Sequence, residues 1–313
     1  MLYCYFCAFP QNMDTDLRKW IYLLLLSIVW GSSFILIKKG LDGLTPIQLG
    51  CCRIIFATVA LFVWGWNRLG TIRKHEWKWI ILSSLLGTFF PTFLFAYAEM
   101  EIGSAISSIL NCTTPLLTII FGIFIFKIRV RPVQIIGVCI GLVGSLFLIL
   151  SGAAVDTGQN YWYAGLVILA TFGYAGNVNV IKAHMQHINP LAIMVGSFAA
   201  ICIPALLILL CTDFFSAGRL KDPVVQTSLG YVALLAIFGT ALAKVWFNTL
   251  VQISDTVFAS SVTYTIPIIA LFWGILDGEY FGVWQGLSSL LILTGVFLVN
   301  YQKRKTARLK TQV

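Results

Sequence analysis

The residues of this chain that can do chemistry are polar side chains set at helical intervals inside long apolar stretches. Thr240, Lys244 and Asn248 fall on one helical face. Ser104, Ser108, Asn111, Pro115 and Thr118 follow one another at intervals of four, three, four and three, so they also share a face, and Thr256, Ser260, Thr263 and Pro267 repeat the arrangement. Tyr174, Asn177 and Asn179 form a third set. In a bilayer such groups must be satisfied without water, so they face other helices or a cavity. The chemistry this predicts is noncovalent: hydrogen bonds and charge offered to a small solute in a cavity. Its alternative is ordinary helix packing through small residues and hydroxyls.

Two cations sharpen the question. Lys244 either meets a ligand or a gate inside the membrane or snorkels to the nearby interface. Arg53, two turns into the second apolar stretch, is expected to reach Glu99 or Glu101 as a structural ion pair; the other reading puts it in a solute path. No acidic residue falls inside the expected spans, so coupling through a buried carboxylate is not expected. Catalysis has little to work with: the chain has no HExxH, no GxSxG and no His and Asp cluster beside a span. An enzyme acting on lipids and a non-transporting scaffold or channel are the competing classes. Cys4 and Cys7 form a CxxC without a second pair or a histidine to complete a zinc site, and His184 with His187 lack a third ligand. No metal and no cofactor are expected. The eight cysteines show no disulfide framework.

The elements that must position these residues are set by composition. With 59% apolar and 11% charged residues and a mean hydropathy of +0.90, the chain is a polytopic membrane protein. Ten stretches of bilayer-crossing length are expected, near 20–37, 47–66, 77–98, 104–126, 133–150, 161–181, 191–211, 228–250, 257–276 and 282–300. The net charge of +9 is distributed by topology. Arg68, Arg73, Lys74, Lys127, Arg129, Arg131 and the tail from Lys303 to Lys310 collect on one side of the alternating connections, while Glu99, Glu101, Asp277 and Glu279 collect on the other. Both termini are therefore expected in the cytoplasm, and nucleic acid is not an expected partner. Trp20, Trp64, Trp77, Trp79 and Tyr161-Trp162-Tyr163 sit where interfacial anchors belong. No secretory signal precedes the first stretch, and Met13 is an alternative start to Met1.

The chain also repeats itself. Gly87-Thr88 returns 152 positions on as Gly239-Thr240, Phe95 as Phe247, Ser108 as Ser260, Thr113 as Thr265, Pro115 as Pro267 and Gly122-Ile123 as Gly274-Ile275. Ile37-Lys38 before Pro46 matches Ile181-Lys182 before Pro190. Each half holds five spans, and an odd number sends the second copy into the membrane from the opposite side, which makes the repeats inverted. The expected organisation is a cytoplasmic segment at 1–19, repeats at 20–150 and 161–301, and a basic cytoplasmic tail at 302–313. Gly137 with Gly141 and Gly282 with Gly286 allow close helix approach, either within the chain or between two copies as a homodimer.

The segment WGSSFILIK from Trp30 to Lys38, with Pro46 and Arg53 after it, resembles the start of an EamA-type domain of the drug/metabolite transporter superfamily. Ala105, Ser108, Leu110, Pro115-Leu116 and Thr118 fit the same pattern, as do Ala259-Ser260, Pro267-Ile268 and Asp277-Gly278-Glu279 in a second copy. Lys127 and Ser197 depart from it. The resemblance implies a ten-helix carrier with a central cavity at or near Trp30, Ser33, Thr88, Asn111, Tyr174, Asn177, Thr240, Lys244, Ser260 and Tyr264. It further implies export of small organic metabolites such as amino acids by alternating access across a bacterial cytoplasmic membrane.

Overall fold

The protein is described by a computed structural model at residues 14–102, 107, 110–150, 161–276 and 283–310. Cys4, Cys7, Met13, Ser104, Ala105, Ser108, Asp277, Gly278, Glu279 and Gly282 lie outside the described residues. Among those described, six helices are long and apolar enough to cross a membrane. They are Thr15–Leu41, Pro46–Thr71 and Trp77–Glu101, here spans 1 to 3, and Ala164–His184, Pro190–Leu210 and Pro223–Ile253, here spans 6 to 8. Four shorter apolar helices, Thr114–Phe124, Pro132–Gly144, Thr256–Ile269 and Gly286–Val299, are spans 4, 5, 9 and 10. The chain is an all-α polytopic membrane protein. Ile203, Leu207 and Leu210 of span 7 and Val59 and Val63 of span 2 stay exposed, a distribution that suits acyl chains and not water.

Local sequence sets the helix starts. Thr45 and Gln48 form a reciprocal capping box in front of Pro46. Asn189 and Asp222 cap the helices that begin at Pro190 and Pro223, with their side chains accepting from Leu191 N at 2.9 Å and Val224 N at 2.9 Å. Lys182 Nζ satisfies carbonyls at the other end of span 8, donating to Val251 O at 3.2 Å and Ser254 O at 2.6 Å.

The packing respects the repeat. Span 1 lies against span 9 as span 6 lies against span 4; span 2 meets span 8 as span 7 meets span 3. Spans 2 and 7 pack on each other, and so do spans 5 and 10. The last pair is joined by glycines. A Cβ at Gly295 would lie 2.6 Å from Gly137 O and 2.6 Å from Gly141 N, so the backbones touch where any side chain would separate them. Gly137 and Gly141 are therefore used inside the chain.

Irregularities interrupt several helices beside polar residues. Span 1 breaks at Ser32 between Gly31 and Ser33. Spans 3 and 8 widen into π turns at Leu85–Phe89 and Leu235–Leu242, and each turn contains one copy of the repeated Gly-Thr pair. Proline removes an N–H in spans 4 and 9, which leaves the carbonyls of Asn111 and Thr263 without their helical partners. Thr114 Oγ1 donates to the first at 2.7 Å, and Cys112 Sγ of the first repeat donates to the second at 3.4 Å.

One expectation changes. Span 3 continues to Glu101, so Glu99 belongs to a spanning helix, where it is half-buried. Its carboxylate also interacts electrostatically with Arg53. The His184 ring stacks on Trp79 at 3.6 Å with an interplanar angle of 4°, and the exposed His187 places Nε2 2.7 Å from Glu76 Oε1. Among the described residues no group of three or more His, Cys, Asp or Glu could hold a metal ion.

Candidate functional site

A cavity of about 110 Å³ lies where the two repeats meet. The first repeat lines it with Trp30, Ser33, Phe34 and Ile37 of span 1, Arg53 of span 2, Gly87 and Phe95 of span 3, and Asn111 and Thr114 around the break before span 4. The second repeat contributes Tyr174, Asn177 and Val178 of span 6, Lys244 and Phe247 of span 8, and Ser260, Thr263 and Ile266 of span 9. Most of this wall is apolar, with the polar groups converging from opposite repeats.

The widened turns are the pivots of this arrangement. A π turn leaves a carbonyl out of the regular ladder, and here each such carbonyl is taken by the other repeat. Lys244 Nζ donates to Gly87 O, and Trp30 Nε1 donates to Gly239 O at 3.0 Å. The two glycines are also required by close approach. A Cβ at Gly87 would lie 2.4 Å from Asn177 Nδ2, and one at Gly239 would lie 2.6 Å from Ser33 Oγ. In the register that aligns Ile37-Lys38 with Ile181-Lys182, Trp30 answers to Tyr174 and Ser33 answers to Asn177. Each Gly-Thr turn thus packs on the same position of the opposite repeat's first helix.

The chemistry is less symmetric than the backbone. Arg53 Nε donates to Thr240 Oγ1 at 2.7 Å, and Thr240 Oγ1 approaches Leu235 O at 3.2 Å within its own wide turn. Lys244 follows Thr240 by four residues, one helical turn along the same face. Its ammonium also stands 5.8 Å from the centre of the Tyr174 ring. The positions that answer to Arg53 and Lys244 in the other repeat hold Ser197 and Thr92. Both cations therefore break the internal symmetry at one patch of the wall.

Of the residues singled out from sequence, the structure brings Trp30, Ser33, Asn111, Tyr174, Asn177, Lys244 and Ser260 together around the cavity. Thr240 stands behind the wall and holds Arg53. Thr88 is buried in the wide turn of span 3 and is not among the lining residues. Tyr264 is turned the other way: its hydroxyl donates to Val138 O at 2.9 Å in span 5, and its side chain is fully buried. A helical stripe defines a face but does not say which neighbour that face meets. Lys244 does not snorkel, since its ammonium is held at Gly87. Arg53 lines the cavity, and Glu99 acts on it electrostatically without a salt bridge between the two. Its proximity to Thr240 had no local signal, because the two are 187 positions apart.

A polytopic bundle with a partly polar cavity between two inverted repeats is the architecture of a membrane transporter. The profile of the EamA-like transporter family matches residues 18–150 and 161–301, and the chain belongs to that family. It is 24% identical over 326 residues to an uncharacterized transporter of Synechocystis, covering 96% of this chain and 95% of the relative. The uncharacterized inner membrane transporter YedA of Escherichia coli is 24% identical over 290 residues, 90% of each chain. A protein of Salmonella typhimurium described as a probable amino-acid metabolite efflux pump is 26% identical over 298 residues, 91% of this chain and 96% of that one. A crystal structure with a TM-score of 0.70 and 17% identity covers 93% of this chain and 98% of its own, a likeness of fold.

Proposed function

We propose that the protein is a secondary transporter that exports small organic metabolites, such as amino acids, by alternating access between its repeats. The observation that carries this reading is the pair of crossed hydrogen bonds at the cavity, Lys244 to Gly87 and Trp30 to Gly239. Each ties one repeat's widened helix to the other repeat, so rocking the repeats must remake bonds at the solute site itself. In this reading the cavity wall is Trp30, Ser33, Asn111, Tyr174, Asn177, Lys244 and Ser260 with Arg53 added, while Thr88, Thr240 and Tyr264 support it from behind. The relative described as an amino-acid metabolite efflux pump supports the substrate class. The basic connections support cytoplasmic termini in a bacterial cytoplasmic membrane.

The test is counterflow in proteoliposomes. Vesicles preloaded with one of a panel of amino acids and related metabolites are diluted into the labelled compound. Accumulation that requires the protein is the expected result; no exchange of any panel member would remove the carrier reading.

A further inference from the structure

Granted that the protein is a carrier of small organic metabolites, the charge and the rings of the cavity favour a class other than the amino acids. Arg53 is fixed by its Nε to Thr240, and its two Nη groups make no hydrogen bond among the described residues. Lys244 follows Thr240 by four residues, about 6 Å of helical rise, so two positive charges share one patch of wall. Holding like charges side by side in a mostly apolar cavity is unfavourable unless an anion answers them. Glu99, one turn beyond Phe95, interacts electrostatically with Arg53 and offsets one charge. Among the described lining residues there is neither Asp nor Glu, which leaves the cavity with one net positive charge. Around this patch stand rings: Trp30 lies 5.2 Å from Phe247, Phe34 lies 6.5 Å from Phe95, and Phe95 lies 5.8 Å from Tyr174.

We propose that the substrate is a monocarboxylate with an apolar, ring-sized body and no ammonium group, its carboxylate clasped between the guanidinium of Arg53 and the ammonium of Lys244. One carboxylate oxygen takes the Nη groups of Arg53. The other replaces the Gly87 carbonyl as acceptor for Lys244, so binding itself releases one of the two crossed bonds between the repeats. A single negative charge neutralises the cavity. A zwitterion brings an ammonium group that finds no carboxylate in the wall, and an amine, cationic at neutral pH, adds to the net positive charge.

Three probes with the same ring separate these cases: 3-phenylpropionate, phenylalanine and phenethylamine, titrated against the purified full-length protein by thermal shift. The expected result is stabilisation by 3-phenylpropionate at concentrations about tenfold or more below those needed for phenylalanine, with no stabilisation by phenethylamine. Lys244→Met and Arg53→Gln should each weaken 3-phenylpropionate roughly 10- to 100-fold, the loss of a hydrogen bond to a charged group, while Lys244→Arg retains binding. Failure of 3-phenylpropionate to stabilise the wild type, phenylalanine binding as tightly, or an unchanged affinity in Lys244→Met overturns the proposal. Lys244→Met decides alone if Arg53→Gln does not fold. Counterflow of another solute, with no binding of 3-phenylpropionate, removes this proposal and leaves the carrier standing.

Discussion

A methyl group added at Gly87 tests whether the widened turn and the cavity act as one unit. In Gly87→Ala the new Cβ would lie 2.4 Å from Asn177 Nδ2, 2.5 Å from its Cγ and 2.9 Å from its Oδ1, whereas ordinary contact begins at 3.4 Å. The Asn177 amide must move by about 1 Å or swing to another rotamer, and either displacement disturbs the bond its Oδ1 accepts from Ser83 Oγ at 2.5 Å. Overpacking of this kind costs about 1–3 kcal/mol, and the lost hydrogen bond adds about 1 kcal/mol. Rotation relieves part of the first contribution, so the expected total is about 2 kcal/mol. Because Asn177 lines the cavity, a penalty of that size felt in the bound state is a loss of roughly 30-fold in affinity. The assay is counterflow with its half-saturating solute concentration, paired with the thermal midpoint of the purified variant. Gly230→Ala in span 8 is the control, since nothing lies within 4 Å of its added Cβ. Combining Gly87→Ala with Asn177→Ala removes the clash, so the double variant should regain stability without regaining affinity. Wild-type affinity and midpoint in Gly87→Ala would refute the packing argument and the placement of Asn177 at the solute.

Three further outcomes follow from the same geometry. Gly295→Ala drives a methyl group to 2.6 Å from backbone atoms of Gly137 and Gly141, which cannot rotate away. It should destabilise the protein by about 3 kcal/mol in chemical or thermal unfolding, with solute affinity unaltered in the folded fraction. Trp30→Phe keeps a ring beside Phe247 but loses the donor to Gly239 O, so stability should fall by about 1 kcal/mol, measured by denaturant midpoint, and transport should fall with it. Outside the spans, burial by itself would raise the Glu76 carboxyl pKa, but the N–H of Arg73, the hydrogen bond from His187 and the charges of His187 and His75 hold it below its ordinary value of 4.5. A depressed carboxylate contributes stability that is complete above the ordinary value and is lost as pH falls through the folded one. The thermal midpoint should therefore drop on acidification below pH 4.5, and in Glu76→Gln that part of the acid loss should be absent.

Much of the architecture could be read from residue order alone. Apolar length counts the spans, because a bilayer demands about twenty residues per helix, and five spans per repeat make the copies antiparallel. The polar intervals from Asn111 to Thr118 and from Thr240 to Asn248 each mark one helical face, since a helix turns by a constant angle per residue, and of these residues Asn111 and Lys244 line the cavity. Even the recurrence of Gly-Thr pointed to something structural, although not to a π turn. What only the tertiary structure decided is which face meets which. Lys244 could have pointed to the interface, yet it reaches Gly87, 157 positions away; Trp30 reaches Gly239, 209 positions away. Arg53 was expected as half of an ion pair and proves to be part of the cavity wall. Tyr264, one residue from Thr263 at the cavity, is directed into span 5, because adjacent helical residues project about 100° apart. Periodicity is a property of one helix, and so it is written locally. A binding site is a property of several helices, and its partners are chosen by packing across the whole chain.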